Sequence, residues 1–219
     1  MMTLIPIPQW RAARFSAFGS LIAAVSFSVT AAAQANVTGS AFGALVKTAL
    51  ISTQSPVATL PAGGGMDEGS AQSFGVPNTL SSNWLTAITS GASDDRASSS
   101  QSTSELEGVS LLGGIIKAGT VTAVASSSAS SAGRSSNASG SGFSNLVVNG
   151  VPITADPAPN TRLALPGLGY VVLNEQIPSG DGTGSSGITV NMIHVVLQNA
   201  LTGIKTGEII VGSATSSVR

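Results

Sequence analysis

The sequence predicts an all-β fold: one antiparallel β-sandwich-like domain with Gly/Ser-rich loops, following a leader segment. Three observations predict it. The densest apolar region, Leu165 to Val218, is cut into short runs by clusters of Gly, Ser and Pro, as strands are cut by turns. Asn149-Gly150 stands between Leu146-Val147-Val148 and Val151-Pro152-Ile153, and both of its residues tolerate the positive φ of a type I′ hairpin turn. Only 9% of residues are charged while Gly, Ser and Thr abound, so hydroxyls and backbone rather than ions coat the surface. Extracellular β-proteins have such a composition more often than cytosolic enzymes do.

The leader comes first in the chain. Arg11 and Arg14 precede an apolar stretch of small residues from Phe15 to Val29, and Ala33-Gln34-Ala35 supplies a small-x-small cleavage pattern. Residues 1–35 are therefore expected to be a signal peptide cut after Ala35, with Ala33 as the second choice. Residues 36–219 form the mature domain, with seven basic and ten acidic residues. That negative balance excludes a phosphate-binding nucleic-acid surface. No later stretch is long and apolar enough to be a transmembrane segment. The absence of Cys excludes disulfides, thiolate metal sites and thiol nucleophiles.

The elements follow in order. Asn36 to Ile51 is small and β-branched, which reads as one or two strands. Pro56 and Pro61 bracket an extended piece. Ala62 to Ser70 reads as a loop. Leu80, Trp84, Leu85 and Ile88 have helical spacing, yet Trp84 to Thr89 also reads as a strand, and the β-like neighbours favour the strand. Asp94 and Asp95 bring two carboxylates to one turn, too few for a calcium ion that takes about six to eight oxygens. Ala97 to Ser130 predicts a long hairpin turning at Gly113-Gly114, in which Val121, Ala123 and Ala125 alternate with Thr120, Thr122 and Val124 in a half-buried period. Ser126 to Gly142 reads as a mobile low-complexity loop. Pro152 cannot donate to a ladder, so the second strand of the Asn149-Gly150 hairpin belongs at an edge. Gly167 and Gly169 turn the chain into Tyr170 to Ile177, and Ser179 to Gly187 is a hairpin loop. Ile188 to Gln198 is the most central strand. Its apolar phase moves from Ile188, Val190 and Met192 to Ile193, Val195 and Leu197, so either both faces are covered or a bulge flips the phase. Leu201 to Gly207 turns the chain into a last strand from Glu208 to Ala214.

The combination of residues 105–129 (ELEGVSLLGGIIKAGTVTAVASSSA), residues 146–176 (LVVNGVPITADPAPNTRLALPGLGYVVLNEQ) and the later ITVNMIHVVL and GEIIVGSATSSV runs resembles the choice-of-anchor P family. The likeness spans Asn36 to Val218. It implies a bacterial secreted or surface protein and no known activity. The run ends in GSATSSVR without an LPxTG-type signal, a hydrophobic tail or a basic stop. Release or non-covalent retention is therefore the expectation.

Chemistry has few possible members. A Ser or Thr nucleophile needs a base, and His194 is the one His, set inside an apolar strand, where a structural His facing the core is the ordinary outcome. Asn174-Glu175-Gln176 brings a carboxylate and two amides to one place. Asn174, Glu175 and His194 are accordingly the weak binding candidates, and no catalytic residue, metal site or cofactor is expected. Lys47, Lys117 and Lys205 read as exposed lysines rather than as partners in a Lys–Asn cross-link promoted by Glu175. The expected function is a secreted structural or adhesive protein without catalytic activity. Its partners would be cell-surface or matrix polymers or other surface proteins. A carbohydrate- or small-ligand-binding module is the alternative, and a secreted hydrolase comes third. Aromatic residues, at 4%, are scarce for stacking on sugars.

Overall fold

A computed structural model describes residues 36–219; the expected signal peptide lies outside the described residues. Sixteen strands follow in chain order. They are β1 (Val37–Thr48), β2 (Ser52–Thr59), β3 (Gly65–Ala71), β4 (Phe74–Val76), β5 (Leu80–Ser82), β6 (Leu85–Ser93), β7 (Ser98–Leu111) and β8 (Ile116–Ser130). Then come β9 (Gly133–Asn137), β10 (Gly142–Ser144), β11 (Val147–Val148), β12 (Val151–Pro152), β13 (Thr161–Leu165), β14 (Gly169–Ser179), β15 (Ser186–Gln198) and β16 (Lys205–Val218). All pairings are antiparallel, and they make two facing sheets, as expected of a sandwich. The first runs β13-β14-β15-β16-β1-β2. The second is built on the β7–β8 hairpin, with β6 and β5 on the free side of β7 and β9, β10 and β11 on the free side of β8.

Local chemistry explains the hairpins. The β7–β8 ladder runs from Ser98↔Ala129 to Leu111↔Ile116 and closes through Leu112, Gly113 and Gly114, all at positive φ (53°, 67° and 92°). Asn149 and Gly150 take φ of 52° and 75°, and the hairpin they close puts Pro152 on an outer two-residue strand, where its missing N–H costs no ladder bond. The ambiguous segment at 78–89 holds no helix: a turn at 78–79 leads into β5 and then β6. Leu85, Ala87 and Thr89 alternate inward on β6, so period two wins over the helical spacing.

Two expectations fail. The segment Ala62 to Ser70 is a loop only as far as Gly64; from Gly65 it is β3, paired with β6 from Gly65↔Gly91 to Ala71↔Leu85. Its Gly, Asp and Glu disfavour a strand, but an available sheet edge overrides weak propensity. The Asp67 carboxylate also accepts from the Thr59 N–H at 2.7 Å, tying β3 to the edge of β2. The Ser126–Gly142 stretch is not a mobile loop either. Its Ser and Ala continue β8, form β9 and lead into β10. Small hydroxyl side chains bury little apolar area, but they let backbones approach and bond to each other.

That property divides the core. One half holds large aliphatics: Leu85, Leu106, Leu111, Ile116, Leu173 and Ile209 are fully buried there. The other half is built of Gly, Ala, Ser and Thr. Ser100 Oγ donates to Thr38 O across the sheets at 2.8 Å, and Ser127 shares hydrogen bonds with Ser136 and, across the sheets, with Ser216 at 2.7 Å. Ser136 in turn reaches Ser186 at 2.8 Å. Gly39 lies so close to the opposite sheet that a Cβ there would strike Thr89 Oγ1.

The apolar phase flips along a line that crosses the first sheet. Leu173 and Asn174, Ile193 and Met192, Val211 and Gly212, and Ala44 and Gly43 make two adjacent rows that both lie toward the core side. Asn174 and Gly212 accommodate the flip with φ of 51° and 66°. Of the two sequence alternatives for β15, the phase flip is the one observed. It places the residues that follow.

Candidate functional site

In a regular strand, residues three apart face opposite sides. Asn191 and His194 face the same side, outward, because the flip lies between them and sends Met192 and Ile193 both inward. His194 therefore does not face the core, as its apolar neighbours led one to expect. Glu175 stands directly across from Asn191 on β14. Glu208 on β16 lies two residues from Ile210, the cross-strand partner of His194, and so reaches the imidazole diagonally.

These groups form one hydrogen-bonded chain. Ser213 Oγ donates to Asn191 Oδ1 at 2.7 Å, and Asn191 Nδ2 donates to Glu175 Oε2 at 2.7 Å. His194 Nδ1 meets the same carboxylate oxygen at 2.9 Å. On its other side, His194 Nε2 lies 3.6 Å from Glu208 Oε2, which accepts from Lys205 Nζ at 2.6 Å. The His194 and Glu175 side chains are each 17% exposed. The hydrogen bond from His194 holds the Glu175 carboxyl below its ordinary value, against the opposing effect of burial. The Lys205 ammonium does the same for Glu208.

A carboxylate on Nδ1 fixes the imidazole orientation, as in a catalytic triad. The second imidazole nitrogen, however, is closed from solvent and hydrogen-bonds to no hydroxyl. Its nearest polar neighbour is another carboxylate. The arrangement sets the imidazole between two carboxylates on a sheet face and brings no hydroxyl to it. Among the described residues, no three His, Asp or Glu side chains converge with metal-binding geometry. Asp94 Oδ1 accepts from the Arg96 and Ala97 N–H groups, both at 2.8 Å, which makes its turn self-contained.

The structure joins two of the three sequence candidates and separates the third. Asn174 turns away from Glu175; its Nδ2 donates to Pro157 O at 2.9 Å and its Oδ1 accepts from Gln176 Nε2. Asn191, Glu208, Lys205 and Ser213 complete the network, and sequence reasoning missed them. The one available signal was the phase change at Met192–Ile193, which implies that Asn191 and His194 share a face. The three lysines are exposed, in accord with the ordinary reading.

A linkage prediction follows. A carboxyl with a lowered folded pKa adds stability above its unfolded value, near 4.5 for Glu175, and that stability is lost as pH falls through the folded value. At pH 6 the Glu175→Gln variant should be less stable than wild type by about 1–2 kcal/mol. The gap should close as pH drops from 4.5 toward 3. Urea unfolding of both proteins across this range checks it; a gap that persists at pH 3 would contradict the charge-based account.

No protein-family model, no curated protein and no solved structure matches this chain. No helix among the described residues is long and apolar enough to cross a membrane.

Proposed function

We propose that the domain is a secreted structural or adhesive protein of the cell exterior, without catalysis, in the manner of the choice-of-anchor P proteins it resembles. One observation carries this reading: the only His–carboxylate cluster among its candidates is spent on itself, with both imidazole nitrogens facing carboxylates and Nε2 closed from solvent. The hydroxyl-rich ladders of β7, β8 and β9 support it as well, since they suit broad contact with surface polymers. Arg11, Arg14 and the Ala-Gln-Ala pattern support export.

A carbohydrate-binding role is favoured by one feature, a groove on the second sheet lined by Ser90, Ser99, Gln101, Ser126, Ser128 and Asn137. Against it stands the lack of an aromatic ring in that lining on which a sugar could stack.

The test is surface or matrix association of wild type and of a His194→Gln/Glu175→Gln variant, with circular dichroism of each and N-terminal sequencing of exported protein. Equal association, with Asn36 as the first residue, is the expected result. Association lost while the fold persists would place a defined binding site at these two residues.

A further inference from the structure

Six turns share one end of the sandwich. Residue correspondences across the sheets fix this. Gly212 lies over Val121 and Ser216 bonds Ser127, so β16 and β8 run the same way, and the start of β16 lies beside the turn that opens β8. Thr38 contacts Ser100 and Gly43 lies over Leu85, which pairs with Leu106, so the end of β1 lies beside the end of β7. Leu80 at the start of β5 pairs with Leu111 at the end of β7, so the β1–β2, β4–β5, β7–β8, β11–β12, β13–β14 and β15–β16 turns cluster at the end with the large aliphatic core.

This end exposes aliphatic side chains at hairpin tips. Leu50 is 94% exposed and Leu201 is 96% exposed, with Ile51, Ile204 and Val151 also open to solvent. With β16 and β1 adjacent, the β1–β2 and β15–β16 tips stand two strand spacings apart, about 10 Å. Leucines at projecting tips add nothing to the core, and exposed apolar groups of this kind mark contact surfaces. The charge around them is mainly basic. Lys47, Lys117 and Lys205 all lie at this end and are exposed, and the one acid beside them, Glu208, stands directly across from Lys47 and accepts from Lys205. The chain as a whole is weakly acidic, so the basic end is a local feature.

We infer that this end docks on an anionic lipid bilayer, with Leu50 and Leu201 entering the headgroup–acyl boundary while Lys47 and Lys117 face the anionic headgroups. Aliphatic tips ringed by lysines meet both requirements of peripheral binding, apolar burial and electrostatic attraction. A pocket at this end, between the β4–β5 and β7–β8 turns, is lined by Pro77, Asn78, Thr79 and Gly113 and includes none of the exposed Leu or Lys side chains. The inference rests on the structural reading above only in placing the lipid outside the cytoplasm. Its test needs no export and no intact surface, so it can fail while that reading stands.

The chain has no Cys, so a single introduced Cys carries an environment-sensitive fluorophore at one known point. Full-length Leu50→Cys, Leu201→Cys and, at the opposite end in the β8–β9 turn, Ala132→Cys are labelled and mixed with phosphatidylglycerol/phosphatidylcholine or pure phosphatidylcholine vesicles. Expected are a blue shift and a rise in intensity at 50 and 201 with the anionic vesicles, and no change at 132. Because the label reads its own surroundings, binding through residues 1–35 cannot mimic this pattern. In unlabelled protein, Leu50→Ser and Leu201→Ser should each lower partitioning of the tips about tenfold. Lys47→Gln and Lys117→Gln should each lower it about fivefold at low salt. Silence at 50 and 201, or an equal response at 132, would overturn the proposal. Anionic response unchanged by the lysine substitutions would overturn its electrostatic half.

Discussion

Replacing Val195 with Asp should unfold the domain or lower its midpoint by roughly 10 °C or more. Val195 is fully buried at the middle of the first sheet, across from Val171 on β14 and Ile209 on β16. A carboxylate there finds no cation and no donor. The unpaired charge costs several kcal/mol, a large part of the roughly 5–15 kcal/mol that holds a domain folded. For a chain of this size each kcal/mol moves the midpoint by about 2–4 °C. Ile177→Asp, at a half-exposed position on β14, is the control and should stay within about 0.5 kcal/mol of wild type. Melts followed by circular dichroism decide the matter. If Val195→Asp melted within a degree or two of wild type, β15 would not be the centre of the fold.

Gly39→Val should be nearly as damaging, for the opposite reason. Here the problem is excess volume. A Cβ at Gly39 would strike Thr89 Oγ1 and come within 3.0 Å of Ser102 Oγ and Ser100 Oγ. The isopropyl group would push the sheets apart at this point. Overpacking of this kind costs about 1–3 kcal/mol. Separating the sheets would also break the Ser100–Thr38 bond and leave buried hydroxyls unpaired, at about 1–3 kcal/mol more. Gly63→Val is the matched control, because a Cβ at Gly63 meets nothing within 4 Å and its backbone is not left-handed. Urea midpoints of the two variants compare them directly. An equal, small loss in both would mean that the Ser- and Gly-rich half is loosely packed.

The candidate site was half legible. Glu175 and His194 could be picked out because a carboxylate and a lone imidazole are rare in this chain. That they touch could not be read. Their contact depends on Val172 lying across from His194 and Glu175 across from Asn191, a register set by the whole β14–β15 ladder. Asn174 was drawn in by its position beside Glu175, and sequence adjacency misleads in a strand because neighbours point apart. Its left-handed backbone then sends its amide to the Pro157 carbonyl instead.

Local rules determined the strands and turns that carry their own chemistry. Asn149-Gly150 needs only its own tolerance of positive φ to turn, and the alternation of Val121, Ala123 and Ala125 needs only the pleat. The all-β class and the central place of Ile188 to Gln198 follow from such local facts. Tertiary structure alone decided the fate of the polar small-residue stretches. Nothing local in Ser126 to Gly142 distinguishes a solvated loop from a strand, since its side chains bury too little area to signal either. What makes it a strand is the opposite sheet, whose Ser186 and Ser216 stand at hydrogen-bonding distance from Ser136 and Ser127. The same holds for β3, which is a strand because β6 offers it an edge. Propensity and periodicity are sums over neighbours in sequence; hydroxyl pairing across two sheets depends on residues as far apart as Ser127 and Ser216, and only the closed sandwich brings them together.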